Sequence, residues 1–199
     1  MIAILAYKEI KNIAGNIKLM LGLLFLTVIF FLTYMAKQPG IYILILHSVT
    51  MAWSISATSF LEEKNEETLT TLLSGPCTLF SLWMAKVTVF TICCFIISIF
   101  LFVFSNSVNQ SLSLHNCIML AIWPVWLFFL IGIYGVILLI SLNRLMALFT
   151  ASLFSVFSLI LFFSLSLPLN IIVSLVLALI ISFLASNINK EHVILGVAK

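Results

Sequence analysis

CIMLAIWPVWLFFLIGIYGVILLISL, residues Cys117 to Leu142, contains no Asp, Glu, Lys or Arg. A hydrocarbon core about 30 Å thick is crossed by roughly 20 apolar residues, because a helix rises about 1.5 Å per residue. The stretch is long enough to span a bilayer, and five others share its character: Leu19 to Ala36, Ile41 to Leu61, Leu82 to Phe104, Leu145 to Leu167, and Leu169 to Ser186. The reading is therefore an all-α polytopic membrane protein with six transmembrane helices, a single permease-like domain over 1–199 with no room for a soluble domain. Composition agrees, since 64% of the 199 residues are apolar and 8% are charged, against about 25% charged in an ordinary soluble domain.

The distribution of charge sets the expected orientation. Basic residues that flank spans stay on the cytoplasmic side. With six spans, Lys8, Lys11, Lys18, Lys64, Lys86, Arg144, Lys190 and Lys199 fall on one side and Lys37 on the other. Both termini are expected to be cytoplasmic, in the inner membrane. A net charge of +3, gathered on one face, gives no footing for nucleic-acid binding. The first span is expected to be retained rather than cleaved, because it is long enough to cross and ends in a turn at Lys37-Gln38-Pro39-Gly40 rather than in a small-residue cleavage site. Ahead of it, over 1–18, Ile2, Ala6, Ile10, Ile13 and Ile17 recur at helical spacing while Lys8, Lys11, Asn12 and Asn16 gather opposite. That pattern predicts an amphipathic helix lying in the lipid headgroup layer. The cysteines, Cys77, Cys93, Cys94 and Cys117, have no metal-ligand spacing and read as small buried apolar residues.

The connection between the second and third spans, 62–78, concentrates four of the six acids: Glu62, Glu63, Glu66 and Glu67. Asn65 suits a helix N-cap, Glu66 and Glu67 suit the positive end of a helix, and Leu69, Leu72 and Leu73 fall at i, i+3 and i+4. Ser74-Gly75-Pro76 would stop that helix, and Thr78 would cap the third span. Two turns are marginal alone in water, so the leucine stripe either docks in a partner's groove or packs back on the spans.

The run from Glu63 to Lys86 resembles the signature of the type-2 membrane domains of ATP-binding-cassette exporters, of the form E-x-E-x-G-T-L-x-x-L-L-x-x-P with a lysine ten residues later. Glu63, Thr68, Leu69, Leu72, Leu73, Pro76 and Lys86 stand at the matching offsets. Asn65, with Glu66 beside it, stands at the second acid position, Glu67 at the glycine, and Thr78-Leu79 where a serine-arginine pair often follows. The resemblance implies a short cytoplasmic coupling helix, Glu66 to Leu73, seated in a cleft of a separate cytoplasmic ATPase. It also implies a second permease copy or a related permease across the pathway, and export as the direction. Glu62 and Glu63 would then pair with Lys86 or with basic residues of the ATPase.

No G-x-x-x-x-G-K-[ST] occurs among the seven glycines, so energy must come from a partner. There is no Asp, no zinc-protease motif and no hydrolytic triad, so the chain reads as a non-enzyme without cofactor or metal. His47 is read as the one strongly ionisable side chain well inside a span. It is expected to be neutral and hydrogen-bonded to a neighbouring helix, with a pathway role as the alternative. Ser48, Thr50, Ser54, Ser56, Thr58 and Ser59 suggest that the second span faces other helices or a cavity. Other functional classes remain: a non-transporting scaffold that anchors a cytoplasmic partner through the same loop, or an ion-coupled carrier.

Overall fold

The computed structural model describes residues 2–36, 41–65, 78–109, 114–141, 143–188 and 193. Among them the chain is helical, with no strand: α1 Ile2–Gly15, α2 Ile17–Ala36, α3 Ile41–Asn65, α4 Leu79–Asn109, α5 Leu114–Ile140, α6 Arg144–Ser164 and α7 Leu167–Ser186. Five stretches within these helices are long and apolar enough to cross a membrane: Leu44–Leu61, Leu79–Val103, Cys117–Ile140, Leu145–Ser164 and Leu167–Ser186. This is an all-helical membrane protein. In lipid such helices satisfy every backbone N–H and C=O internally, which is why apolar runs of this length adopt no other form.

Helix ends follow local chemistry. Thr78 caps α4, its hydroxyl accepting from the Ser81 N–H at 3.1 Å while Ser81 Oγ accepts from the Thr78 N–H at 3.2 Å. The expected cap is therefore present, and α4 starts three residues earlier than Leu82. Asn143 caps α6 by accepting from the Leu145 N–H at 2.9 Å, and Asn16 Oδ1 accepts from the Leu19 N–H at 3.0 Å at the start of α2. Pro168 sits in the first turn of α7, where its missing N–H costs nothing. α3 runs on to Asn65, beyond the expected end at Leu61, so the acids Glu62 and Glu63 belong to its last turns.

The stripe at the centre of α5 is the heart of the core. Trp123, Trp126, Leu127, Leu130, Ile131 and Tyr134 are all buried, and α5 packs on α3, α4, α6 and α7. α3 and α4 pack on each other, α2 lies on α3, and α1 lies on α4. Gly132 and Gly135 let the elements close up: Trp83 of α4 covers both, Phe60 of α3 reaches Gly135, and Trp83 Nε1 donates to the Gly132 carbonyl at 3.1 Å. Trp123 and Trp126 meet Phe162 of α6 edge-on, with centroids 5.0 and 5.3 Å away. Tyr134 and Ser155 join α5 to α6 through a hydroxyl–hydroxyl contact.

α1 departs from expectation in the face it uses. Its buried residues are Leu5 and Glu9, with Ala6 and Ile13 against the core, while Ile2, Ile10 and Ile17 of the expected apolar stripe are exposed. The protein-facing side is thus the border between the apolar and polar arcs of the helix, because the contact it makes is with a charge.

Candidate functional site

The site grows from Lys86. The sequence places this lysine among the basic residues flanking the spans, but α4 begins at Leu79, so Lys86 lies two turns inside an apolar helix and is 0% exposed. An ammonium at that depth demands a counter-charge. It comes from α1: Lys86 Nζ donates to Glu9 Oε2 at 2.9 Å, and Glu9 is itself 1% exposed. Ser59 of α3 closes the triangle, accepting from Nζ at 2.5 Å and donating to Glu9 Oε2 at 3.3 Å. The rings of Phe60 and Phe90, crossed edge-to-face, lie 5.4 and 5.8 Å from the ammonium and add cation–π attraction. Glu9 Oε1 has no hydrogen-bond partner among the described residues.

This cluster corrects the view of His47 as the one ionisable side chain well inside a span. His47 is buried on α3 at 1% exposure, twelve residues before Ser59, which is about 18 Å along the helix axis; the two polar centres are therefore separate. Beside His47, Ser48 donates to the Ile45 carbonyl at 2.8 Å and accepts from Trp123 Nε1 at 2.7 Å. Thr50, Ser54 and Thr58 bond back to carbonyls of their own helix. The hydroxyls of α3 that reach other helices, Ser48 and Ser59, do so at its two ends.

Of the residues grouped by sequence as an ATPase-docking set, Glu63 lies in the last turn of α3. Glu66, Glu67, Thr68, Leu69, Leu72, Leu73 and Pro76 lie outside the described residues. Lys86 is enclosed by α1, α3 and α4 and presents nothing to a partner's surface; it ties together the helices on either side of the 66–78 connection. Its partners Glu9 and Ser59 lie on other helices, far from it in sequence. A signal existed for Glu9, an acid in register with Leu5 and Ile13 at i−4 and i+4 and so on a stripe that meets other apolar residues. Among the described residues no group of three His, Cys, Asp or Glu side chains is placed to hold a metal, and Cys93, Cys94 and Cys117 are free thiols.

Fold and site together define a class, a polytopic helical membrane protein with a buried Glu–Ser–Lys cluster at the root of one interhelical connection. No family model, no curated protein and no solved structure matches the chain.

Proposed function

We propose that the chain is the membrane-spanning permease subunit of an ATP-driven exporter of the ATP-binding-cassette type. It would work as a pair of permease subunits with separate cytoplasmic ATPase subunits. The observation that carries the reading is the 66–78 connection. It is acid-flanked, leucine-striped and at the offsets of the family signature, and it hangs between two helices that meet at Ser59 and Lys86. A push on such a connection reaches α3 and α4 together, and rigid-body rocking of packed helices is how transporters alternate their access.

The same geometry supports six spans. α1 touches Ser59 near the end of α3 and Lys86 near the start of α4, which supports a place for it at the membrane face from which 66–78 would emerge. α3 starts from the opposite face at Ile41. The 20 residues of α2, about 30 Å as a helix, lie between α1 and that face and pack along α3. With six spans Lys8, Lys11, Lys18, Lys64, Arg144, Lys190 and Lys199 share one side and Lys37 the other, which supports a cytoplasmic place for both termini. Lys86 no longer belongs in that count, and its loss leaves the asymmetry in place.

The test is co-purification and reconstitution with a co-expressed ATP-binding-cassette ATPase. Changing Leu69 and Leu72 to Asp should leave membrane insertion unchanged and abolish both association with the ATPase and stimulation of its turnover. Undiminished association in that variant removes the docking role. An ATPase that binds the wild type without gaining turnover makes the chain a scaffold instead.

A further inference from the structure

We propose that α3, α5 and α6 enclose a bound water near the middle of their apolar stretches, held by the Trp126 indole N–H and the hydroxyls of Ser56 and Ser158. The proposal stands on these three helices alone and holds whether or not an ATPase binds the chain.

Trp126 is the fixed point of the site. It is fully buried, and its Nε1 has no hydrogen-bond partner among the described residues. Two rings meet the indole edge-on, Phe129 at 6.2 Å and Phe162 at 5.3 Å between centroids, so its N–H is not free to swing to a new acceptor. Two other tryptophans of the core show how a buried indole is satisfied here: Trp83 donates to the Gly132 carbonyl at 3.1 Å and Trp123 to Ser48 Oγ at 2.7 Å. A donor left bare in an apolar interior bears the full cost of its lost hydration, and folded proteins seldom leave one so.

The two serines bring the remaining bonds. Ser56 and Ser158 are buried, and neither hydroxyl has a partner among the described residues. Ser56 stands one turn from Phe60 and two turns from Ser48, both of which reach α5. Helical positions four apart share a face, so Ser56 lies on the stripe of α3 that α5 covers. Ser158 lies between Ser155, which meets Tyr134, and Phe162, which meets Trp126, on the stripe of α6 that faces α5. α3 also touches α6. The three agree in depth. Ser56 in Leu44–Leu61, Trp126 in Cys117–Ile140 and Ser158 in Leu145–Ser164 each fall within about four residues of the midpoint of the stretch, which is about 6 Å along a helix axis. Ser54 and Ser152, on the same two helices, bond back to the carbonyl one turn earlier. Ser56 and Ser158 do not take that recourse.

The chemistry selects the guest. An indole only donates, whereas a hydroxyl both donates and accepts. The guest must accept from Trp126 and exchange bonds with two hydroxyls. It must be neutral, as the groups that meet it are, and small, because all three are buried in packed helices. Water meets each requirement, and three polar partners is the usual complement of a buried water.

The experiment uses the full chain in lipid nanodiscs, isotope-labelled at the tryptophan indole nitrogens, with each indole signal assigned by changing one tryptophan at a time to Phe. Dipolar cross-relaxation between water and each indole proton is measured by NMR. Trp126 is expected to show a water cross-peak about threefold or more stronger than those of Trp83 and Trp123, whose N–H groups are bonded to protein. Ser56→Ala and Ser158→Ala are each expected to weaken that cross-peak, with the Trp83 and Trp123 signals in place as the sign of an intact bundle. A smaller ratio at Trp126 in the unchanged protein overturns the proposal, whether its cross-peak is missing or those of Trp83 and Trp123 are as strong. So does a Trp126 cross-peak that survives either serine substitution at full strength.

Discussion

Gly135 shows how little freedom single positions on α5 retain. A Cβ there would stand 2.7 Å from Phe60 Cζ and 3.0 Å from Trp83 Nε1. Neither ring can yield easily, since both are buried and Trp83 is pinned by its bond to the Gly132 carbonyl. Overpacking of this kind costs about 1–3 kcal/mol, more than the ~1 kcal/mol that alanine recovers over glycine in a helix. Gly135→Ala should therefore lower the unfolding temperature in detergent, whereas Gly22→Ala, with nothing within 4 Å, should leave it unchanged or raise it. Equal effects at the two glycines would refute the packing argument. Chemistry at the residue scale was only partly readable in the sequence. Lys86 could be singled out from a spacing, but its partner Glu9 lies 77 positions away, and nothing in periodicity connects two residues that far apart. Burial, the property that gives the pair its character, belongs to the assembled helices.

The turn between α6 and α7 is the clearest case of an element boundary written by one side chain. Asn170 is fully buried, and its Nδ2 donates backward to the Phe162 carbonyl at 2.9 Å and the Leu165 carbonyl at 3.2 Å. Those are among the carbonyls that the end of α6 leaves unmatched, which in lipid would find no water. Asn170→Ala leaves them without that donor and should cost about 1–2 kcal/mol. The readout is thermal unfolding, with Ser164→Ala, whose exposed hydroxyl bonds within its own helix, as the comparison; a smaller loss for Asn170→Ala than for Ser164→Ala would sink the account. Helix existence was legible here from apolar run length alone, whereas the ends were not. The boundary expected at Pro168, between spans ending at Leu167 and starting at Leu169, falls instead at Leu165 and Ser166, because Pro168 and Asn170 work inside α7 rather than in a loop. The same holds for α3, whose last turns absorb Glu62 to Asn65: hydropathy stops at the first charge, but a helix stops only where its backbone loses partners.

At the scale of the whole molecule, the five apolar helices fix a membrane protein, and α1 is placed by its contacts rather than by its amphipathic pattern. A basic helix with isoleucines on one side could rest on either membrane face or continue into the next span. Its contact with Ser59 and Lys86 sets it beside the ends of the two helices that the 66–78 connection joins. That contact leaves Tyr7 and Ile10 of α1, and Ile17 at the start of α2, exposed. From this follows a parity argument. If α2 crosses, a cysteine placed at Gln38 must react from the side opposite one placed at Asn65 or Asn187; if α2 returns without crossing, α3 would have to start from the face at which it ends. Membrane-impermeant labelling of right-side-out vesicles should thus modify Gln38→Cys and leave Asn65→Cys and Asn187→Cys protected until the bilayer is opened. Labelling of Gln38→Cys and Asn65→Cys from one side would contradict α3 as a span, and labelling of Gln38→Cys and Asn187→Cys from one side would make the number of crossings after it odd, so the three sites test α3 and the parity of the helices after it, both of which the proposed six-span arrangement requires.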